Sequence, residues 1–355
     1  MLLRLESTLP RSDRDSILLL CKELGYTTRF LGGRQELLEL SGPGAPDHRS
    51  RLADLAGVVR VLDVGAAREL HERATGSGDT RPDTIVRIGD AVIGGGNVSI
   101  IAGPCAVEDE GRLAEIANAV RRAGATALRG GAFKPRSSPY SFQGLGAEGL
   151  AILGRVKALT GLGVVTEVLD PRDVEAVGEV ADAFQIGARS MTNFALLREV
   201  GRTRIPVLLK RGFAATVREL LLAAEYVLSG GNEQVVLCER GVRGFDSVTR
   251  NLLDVGAVAH LKGATHLPVI VDPSHAAGRA DLVRPLARAG IAAGADGLLI
   301  EVHPAPGEVH SDGAQAVGLD AFARIVADVR ALCAIDGRTL VTSQLSESPA
   351  NGGFQ

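Results

Sequence analysis

Eight short apolar runs, separated by helix-like stretches, organise the chain beyond residue 84. They are Val98–Ala102, Ala125–Arg129, Val164–Val168, Ala183–Ile186, Val207–Lys210, Val235–Cys238, Val269–Val271 and Leu298–Val302. Their Val, Ile and Leu residues follow one another instead of alternating with polar ones, as in parallel strands covered on both faces. Between them, Glu108–Ala123, Leu145–Leu159, Ala215–Leu228 and Ala280–Ala293 carry helical periodicity. Count, alternation and span predict an α/β chain with a (β/α)8 TIM barrel over residues 85–336. Ile85–Ile93, followed by Gly94-Gly-Gly, reads as a short hairpin ahead of the barrel.

Residues 1–72 read as a separate small unit. A strand at Leu2–Glu6 leads to a helix over Asp13–Leu24, which Gly25 stops. Strands at Tyr26–Leu31 and Gln35–Leu40 flank a Gly32-Gly33 turn; a helix over Asp47–Leu55 and a strand at Val58–Val64 complete the unit. That βαββαβ order is ferredoxin-like. Residues 73–84, rich in Gly, Ser, Thr, Asp and Pro, read as a linker, and residues 337–355 as a disordered tail.

At 45% hydrophobic and 23% charged residues, the 355-residue chain can bury a large core. A net charge of -3 and the absence of Trp give no reason to expect a nucleic-acid or membrane partner. Four cysteines without framework spacing argue for a reducing compartment. The start lacks the apolar core of a signal peptide, so a cytoplasmic address is expected.

Chemistry-bearing residues collect where the strands end, the face on which a parallel barrel keeps its reactive groups. Cys105, His275 and Glu301 each follow an apolar run, and Asp312 lies in a later loop. Thiolate, imidazole and carboxylates form a mixed set suited to Mn, Fe, Co or Zn. A lone cysteine beside a strand is usually a small core residue, and Cys21, Cys238 and Cys333 are read that way. Glu301 is different, because an unpaired carboxylate continuing a buried strand is costly. Asp272 and His303 are candidates for orienting the ligands through hydrogen bonds. Arg129, Lys134 and Arg136 lie at the end of the second run, Arg189, Lys210 with Arg211, and Arg240 at the ends of the fourth, fifth and sixth, and Glu167 at the end of the third. A basic mouth on an acidic chain implies small polyanionic substrates, phosphates and carboxylates above all.

Gly144-Leu-Gly146-Ala-Glu-Gly149 fits a dinucleotide fingerprint, with Glu167 some twenty residues on. No strand precedes it, so the tight turn over a pyrophosphate is missing. A nicotinamide-dependent oxidoreductase is therefore disfavoured, and the glycines are expected to shape a substrate loop and begin a helix.

Ile101-Ala-Gly-Pro-Cys105, Leu128-Arg-Gly-Gly-Ala-Phe-Lys-Pro-Arg-Ser-Ser138, Gln185-Ile-Gly-Ala-Arg189, Pro206-Val-Leu-Leu-Lys210, Cys238-Glu-Arg-Gly241, Asp272-Pro-Ser-His275 and Glu301-Val-His303 together resemble the 3-deoxy-D-arabino-heptulosonate 7-phosphate (DAHP) synthases. The similarity runs in order over about residues 84–335. The N-terminal unit resembles the added domain of the type I beta subgroup, which confers feedback control by aromatic amino acids. The sibling 3-deoxy-D-manno-octulosonate 8-phosphate synthases, which use arabinose 5-phosphate, show Lys-Ala-Asn-Arg-Ser where this chain has Lys134-Pro-Arg-Ser137. Pro135-Arg136 therefore points to erythrose 4-phosphate.

The resemblance implies a metal-dependent condensation of phosphoenolpyruvate with erythrose 4-phosphate, the first step of the shikimate pathway to chorismate and the aromatic amino acids. Arg129, Lys134, Arg189, Lys210 and Arg240, assisted by the Ala188 backbone N–H, would hold phosphoenolpyruvate. Arg136 and Ser137 would hold the second phosphate, and Cys105, His275, Glu301 and Asp312 the metal. Lys134 would give a proton to the aldehyde oxygen, and Glu167 would manage water or orient a basic neighbour. A homotetramer and inhibition by Tyr or Phe are the remaining implications. A barrel serving only as a binding module beneath a sensor domain is the competing reading, opposed by the full set of reactive residues.

Overall fold

The computed structural model describes residues 2–31, 36–42, 46–62, 69–73, 81–135, 138, 140–308 and 313–343. In the N-terminal unit, β1 (Leu2–Leu5) turns Leu3 and Leu5 inward, and α1 (Arg11–Glu23) buries Ile17 and Cys21, one helical turn apart. Strands β2 (Thr27–Leu31) and β3 (Leu37–Ser41) pair antiparallel; α2 (Pro46–Ala53) and β4 (Val58–Leu62) follow. The sheet order is β2-β3-β1-β4, with β1 antiparallel to both neighbours. This is the split βαβ arrangement expected of the βαββαβ order. Tyr26, Leu38, Leu40, Leu52 and Val61 complete its core.

A hairpin, β5 (Val86–Ile88) and β6 (Ala91–Ile93), precedes the barrel. The barrel strands are β7 (Asn97–Gly103), β8 (Ala127–Arg129), β9 (Gly163–Glu167), β10 (Ala183–Ile186), β11 (Val207–Lys210), β12 (Val235–Glu239), β13 (Val269–Val271) and β14 (Gly297–Glu301). Each pairs parallel with the next, and β14 pairs with β7, which closes the ring. The helices α3 (Glu110–Ala123), α4 (Ala147–Thr160), α5 (Val174–Gly178), α6 (Phe194–Gly201), α7 (Val217–Ser229) and α8 (Val255–Ala264) each follow one strand. After β13 come α9 (Pro273–Ala277) and α10 (Ala280–Ala292); α11 (Leu319–Ile335) follows β14. Local signals set several of these ends: Asp109 caps α3 by accepting from Arg112 N, and Thr216 with Glu219 forms a capping box on α7.

Two apolar layers flank the strands. Outward residues such as Val164, Leu209 and Ile300 pack under the helices, while Ile101, Val165, Leu208, Ile270 and Leu299 fill the interior. Val86, Ile88, Ala91 and Ile93 join that interior cluster. The hairpin thus plugs one end of the barrel and leaves the strand C-termini for chemistry.

Two boundaries differ from expectation. Residues 69–73, assigned to the small unit and the start of the linker, lie against the barrel: His71 O accepts from His266 N at 3.2 Å and Arg73 N donates to Ala264 O at 3.0 Å. Their side chains find partners there, His71 Nδ1 lying 2.7 Å from Glu225 Oε1. In the tail, expected to be disordered, β15 (Thr339–Leu340) pairs parallel with β7 outside the closed ring. Its backbone groups are satisfied by the free edge of residues 97 and 98. The Gly32-Gly33 turn, most of the linker and residues 344–355 lie outside the described residues. No described helix is long and apolar enough to cross a membrane.

Candidate active site

The strand C-termini surround a cavity lined by Cys105, Arg129, Phe133, Lys134, Pro135, Glu167, Gln185, Gly187, Ala188, Arg189, Lys210, Phe213, Arg240, Arg250 and His275. Arg129, Lys134, Arg189, Lys210, Arg240 and Arg250 are cationic; among these lining residues Glu167 is the only Asp or Glu. Such an excess of positive charge is self-repelling until an anion enters. Arg129 sharpens the point. It is only 4% exposed, and its buried Nη1 has no hydrogen-bond partner. A buried guanidinium nitrogen without a partner is costly, and an incoming oxyanion removes the cost.

At one side of this cavity stand Cys105 after β7, His275 in the first turn of α9, and Glu301 at the end of β14. One ligand atom from each lies within 4.8 Å of the others. His275 Nε2 is 3.9 Å from Cys105 Sγ and 3.7 Å from Glu301 Oε2. The imidazole is held from behind by Asp272, whose Oδ2 lies 2.8 Å from His275 Nδ1 and whose Oδ1 accepts from the His275 backbone N–H. Burial pushes His275 down to about 3 despite the pull of Asp272, so the ring is neutral. With Nδ1 facing a carboxylate, the free lone pair falls on Nε2, toward Cys105 and Glu301. Gln315 Nε2 donates to Glu301 Oε2 at 2.7 Å, and Ser274 Oγ accepts from Glu301 N at 3.0 Å. Thiol sulfur, imidazole nitrogen and carboxylate oxygen, orientated from behind, fit a borderline divalent ion.

Asp272 also receives Lys210 Nζ at 2.6 Å, so a single buried carboxylate fixes a cation of the cavity and the imidazole of the cluster. Burial alone would raise Asp272, but His275 and Lys210 hold it well below the usual carboxylate range. Lys134 Nζ donates to Cys105 Sγ at 2.9 Å. Across the cavity, burial raises the Glu167 carboxyl above its ordinary value, opposed by Lys210 and by the bond from Gln185 Nε2 at 3.1 Å. Arg211, beside Lys210 in sequence, turns away to Glu239 at 2.8 Å and Asp254 at 3.1 Å.

The DAHP synthetase I family matches residues 77–334. The chain belongs to that family. It is 50% identical over 277 residues to a phospho-2-dehydro-3-deoxyheptonate aldolase of Thermotoga maritima, covering 78% of this chain and 79% of that protein. The crystal structure of the Thermotoga maritima DAHP synthase superposes with a TM-score of 0.74 at 40% identity, covering 96% of this chain and 98% of the other. A 2-dehydro-3-deoxyphosphooctonate aldolase of Syntrophotalea carbinolica is 32% identical over 274 residues, covering 72% of this chain and 97% of that one. The heptonate relative is thus markedly more similar than the octonate one.

Of the site residues expected from sequence in this DAHP synthetase I member, Cys105, Arg129, Lys134, Glu167, Ala188, Arg189, Lys210, Arg240 and His275 line the one cavity, and Glu301 meets His275 at its edge. Arg136, Ser137 and Asp312 lie outside the described residues. His303 is 3% exposed, and its Nδ1 accepts from Ala305 N at 3.1 Å. Asp272 stands behind His275 as expected. Cys21, Cys238 and Cys333 are buried. In the glycine motif, Gly146 caps α4, and a Cβ on Gly144 would lie 2.2 Å from Ala132 O. Those glycines let the loop pack on the segment after β8.

Sequence reading passed over Phe133, Gln185, Phe213, Arg250 and Gln315. Gln185 and Phe213 sit at or just beyond strand ends, which was a usable signal. Arg250 and Gln315 lie in long connections, and Arg250 Nη1 donates to Gln315 Oε1 at 3.1 Å. Nothing local in the sequence announces that pairing.

Proposed function

We propose that this chain condenses phosphoenolpyruvate with erythrose 4-phosphate and water, giving DAHP and inorganic phosphate. The observation that carries this reading is the juxtaposition of a strongly cationic cavity, including the unpartnered Nη1 of Arg129, with the Cys105–His275–Glu301 cluster. Family membership and the higher identity to the heptonate enzyme favour erythrose 4-phosphate over arabinose 5-phosphate.

Arg129, Arg189, Lys210 and Arg240, with the Ala188 backbone N–H, bind the phosphate and carboxylate of phosphoenolpyruvate and orient its C3 toward the aldehyde. Arg136 and Ser137 take the phosphate of the sugar. Cys105, His275 and Glu301, with Asp312, hold a divalent ion, which when bound supplies Lewis acidity toward the aldehyde oxygen. As C3 of phosphoenolpyruvate bonds to the aldehyde carbon, Lys134 Nζ delivers a proton to the forming alkoxide. Water adds at C2, and Glu167, held above its ordinary value by burial, receives a proton from that water. The hemiketal then expels inorganic phosphate while the cationic lining balances the charge. Fixing two anions side by side is the greater part of the task, which accounts for so many cations.

The 1–72 unit is read as a regulatory domain answering to an aromatic amino acid such as Tyr or Phe, and the assembly as a homotetramer; the family resemblance supports both. Cys21, Cys105, Cys238 and Cys333 form no disulfide, which suits a reducing cytoplasm. An assay of phosphoenolpyruvate consumption with erythrose 4-phosphate against arabinose 5-phosphate, with added divalent metal, tests the reading. Preference for the four-carbon aldehyde supports it, and preference for the five-carbon one overturns it.

A further inference from the structure

The ring of Phe213 is the meeting point of three guanidinium groups. Its centroid lies 4.7 Å from Arg240 Cζ, 5.2 Å from Arg189 Cζ and 5.4 Å from Arg243 Cζ. Phe213 lines the same cavity as Arg189 and Arg240. The Arg243 backbone N–H donates to the Phe213 carbonyl at 2.7 Å, which ties the loop after β12 to the loop after β11. The Arg189 and Arg243 side chains make no hydrogen bond or ion pair among the described residues, so the ring is the group that their guanidinium carbons approach.

Three like charges gathered round one point repel one another. A carboxylate could hold them, but it would cancel the field and occupy the N–H donors that an anionic substrate needs. The face of an aromatic ring attracts cations through its quadrupole while carrying no net charge and accepting no conventional hydrogen bond. Arg240 shows the complementary fixing: its Nη2 donates to His275 O at 3.2 Å and its Nη1 to Gly241 O at 3.4 Å, so neutral backbone carbonyls and the ring hold the group without cancelling its charge.

We propose that Phe213 is a positioning residue that pre-assembles Arg189, Arg240 and Arg243 into a three-cation receptor for the phosphoryl group of phosphoenolpyruvate, with Arg243 as its added outer member. The proposal rests on the reading of the cavity as the phosphoenolpyruvate site. A receptor arranged before substrate arrives loses less side-chain freedom on binding, so its removal appears in affinity more than in turnover.

The test is steady-state kinetics of the full-length metal-loaded enzyme bearing Phe213→Leu or Phe213→Tyr. Phe213→Leu is expected to raise KM for phosphoenolpyruvate about tenfold, with kcat and KM for erythrose 4-phosphate within about twofold. Inorganic phosphate should weaken as a competitive inhibitor by a similar factor, and Phe213→Tyr, which keeps the ring, should behave as the parent. Unchanged KM for phosphoenolpyruvate in Phe213→Leu overturns the proposal; so does a tyrosine variant as impaired as the leucine one, because shape and not the ring would then be responsible. Arg243→Gln, at an exposed site, gives an arm that does not depend on the leucine variant folding: a rise of about two- to fivefold is expected, and no rise overturns the three-cation receptor. Arg189→Gln is measured alongside; if it too leaves KM for phosphoenolpyruvate unchanged, the cavity reading falls with the proposal, whereas a raised value confines the failure to Phe213.

Discussion

Lys134 Nζ donates to Cys105 Sγ across 2.9 Å, joining the loop after β8 to the loop after β7. The cation assigned to proton delivery therefore touches the sulfur assigned to the metal. Lys134→Met removes the proton and leaves the sulfur. We expect kcat to fall by about 10²- to 10⁴-fold while metal content stays near one ion per chain. Turnover assays paired with elemental analysis check this, and an unchanged kcat removes Lys134 from the proton-delivery role.

Metal removal should abolish turnover. Dialysis against EDTA is expected to give an inactive protein that Mn, Fe, Co or Zn restores, each to its own level. Cys105→Ala should lose metal and activity together, because imidazole and carboxylate alone make a weaker site for a borderline ion. Full activity after verified metal removal contradicts the assignment.

Arg129 separates binding from stability. Its buried Nη1 lacks a partner, so the free protein bears a cost that Arg129→Met relieves. Thermal stability should be unchanged or higher. Affinity for phosphoenolpyruvate should fall about ten- to hundredfold, the scale of hydrogen bonds to a charged group. Differential scanning fluorimetry with and without phosphoenolpyruvate tests both halves, since ligand stabilisation follows occupancy.

His266 predicts a pH dependence of stability away from the active site. It lies between Thr84 Oγ1 at 2.7 Å and Leu70 O at 2.8 Å, and burial holds its imidazole below the ordinary value of 6.5. The unfolded chain then binds the proton more tightly than the folded one. The stabilisation is complete above pH 6.5 and is lost as pH falls from there through the lower folded value. Melting temperatures from pH 7.5 down to 5 should decline in the parent protein and decline less in His266→Gln. Equal slopes would clear this residue.

The place of residues 69–73 makes a prediction about truncation. Removing 1–68 should leave an active barrel insensitive to aromatic amino acids. Removing 1–80 also strips His71 from Glu225, Thr265 and His266, so a lower melting temperature of several degrees is expected. Inhibition that survives the shorter deletion places the regulatory site in the barrel.

Much of the architecture was legible because each signal is local. An apolar run such as Val207–Lys210 can be buried on both faces only in a parallel sheet, and Ile17 with Cys21 shares a helical face by spacing alone. The strand-end rule assigns Cys105, Arg129, Lys210 and His275 to one face. The boundaries were less legible. Residues 69–73 and 339–340 look like linker and tail by composition, yet each satisfies its backbone on barrel residues remote in sequence.

By itself the sequence determined the barrel, the small domain ahead of it, and the residue types available to the chemistry, because periodicity and strand-end position are properties of neighbouring residues. The tertiary structure decided how those residues divide their work. Lys210 and Arg211 are adjacent in the chain, yet Lys210 lines the cavity beside Asp272, while Arg211 is spent on Glu239 and Asp254. Phe213 gathers arginines from two other loops, and Arg250 reaches Gln315 across 65 positions. Closing a ring of strands brings distant loops to one point, and interactions across that point depend on distance in space, which sequence separation does not contain.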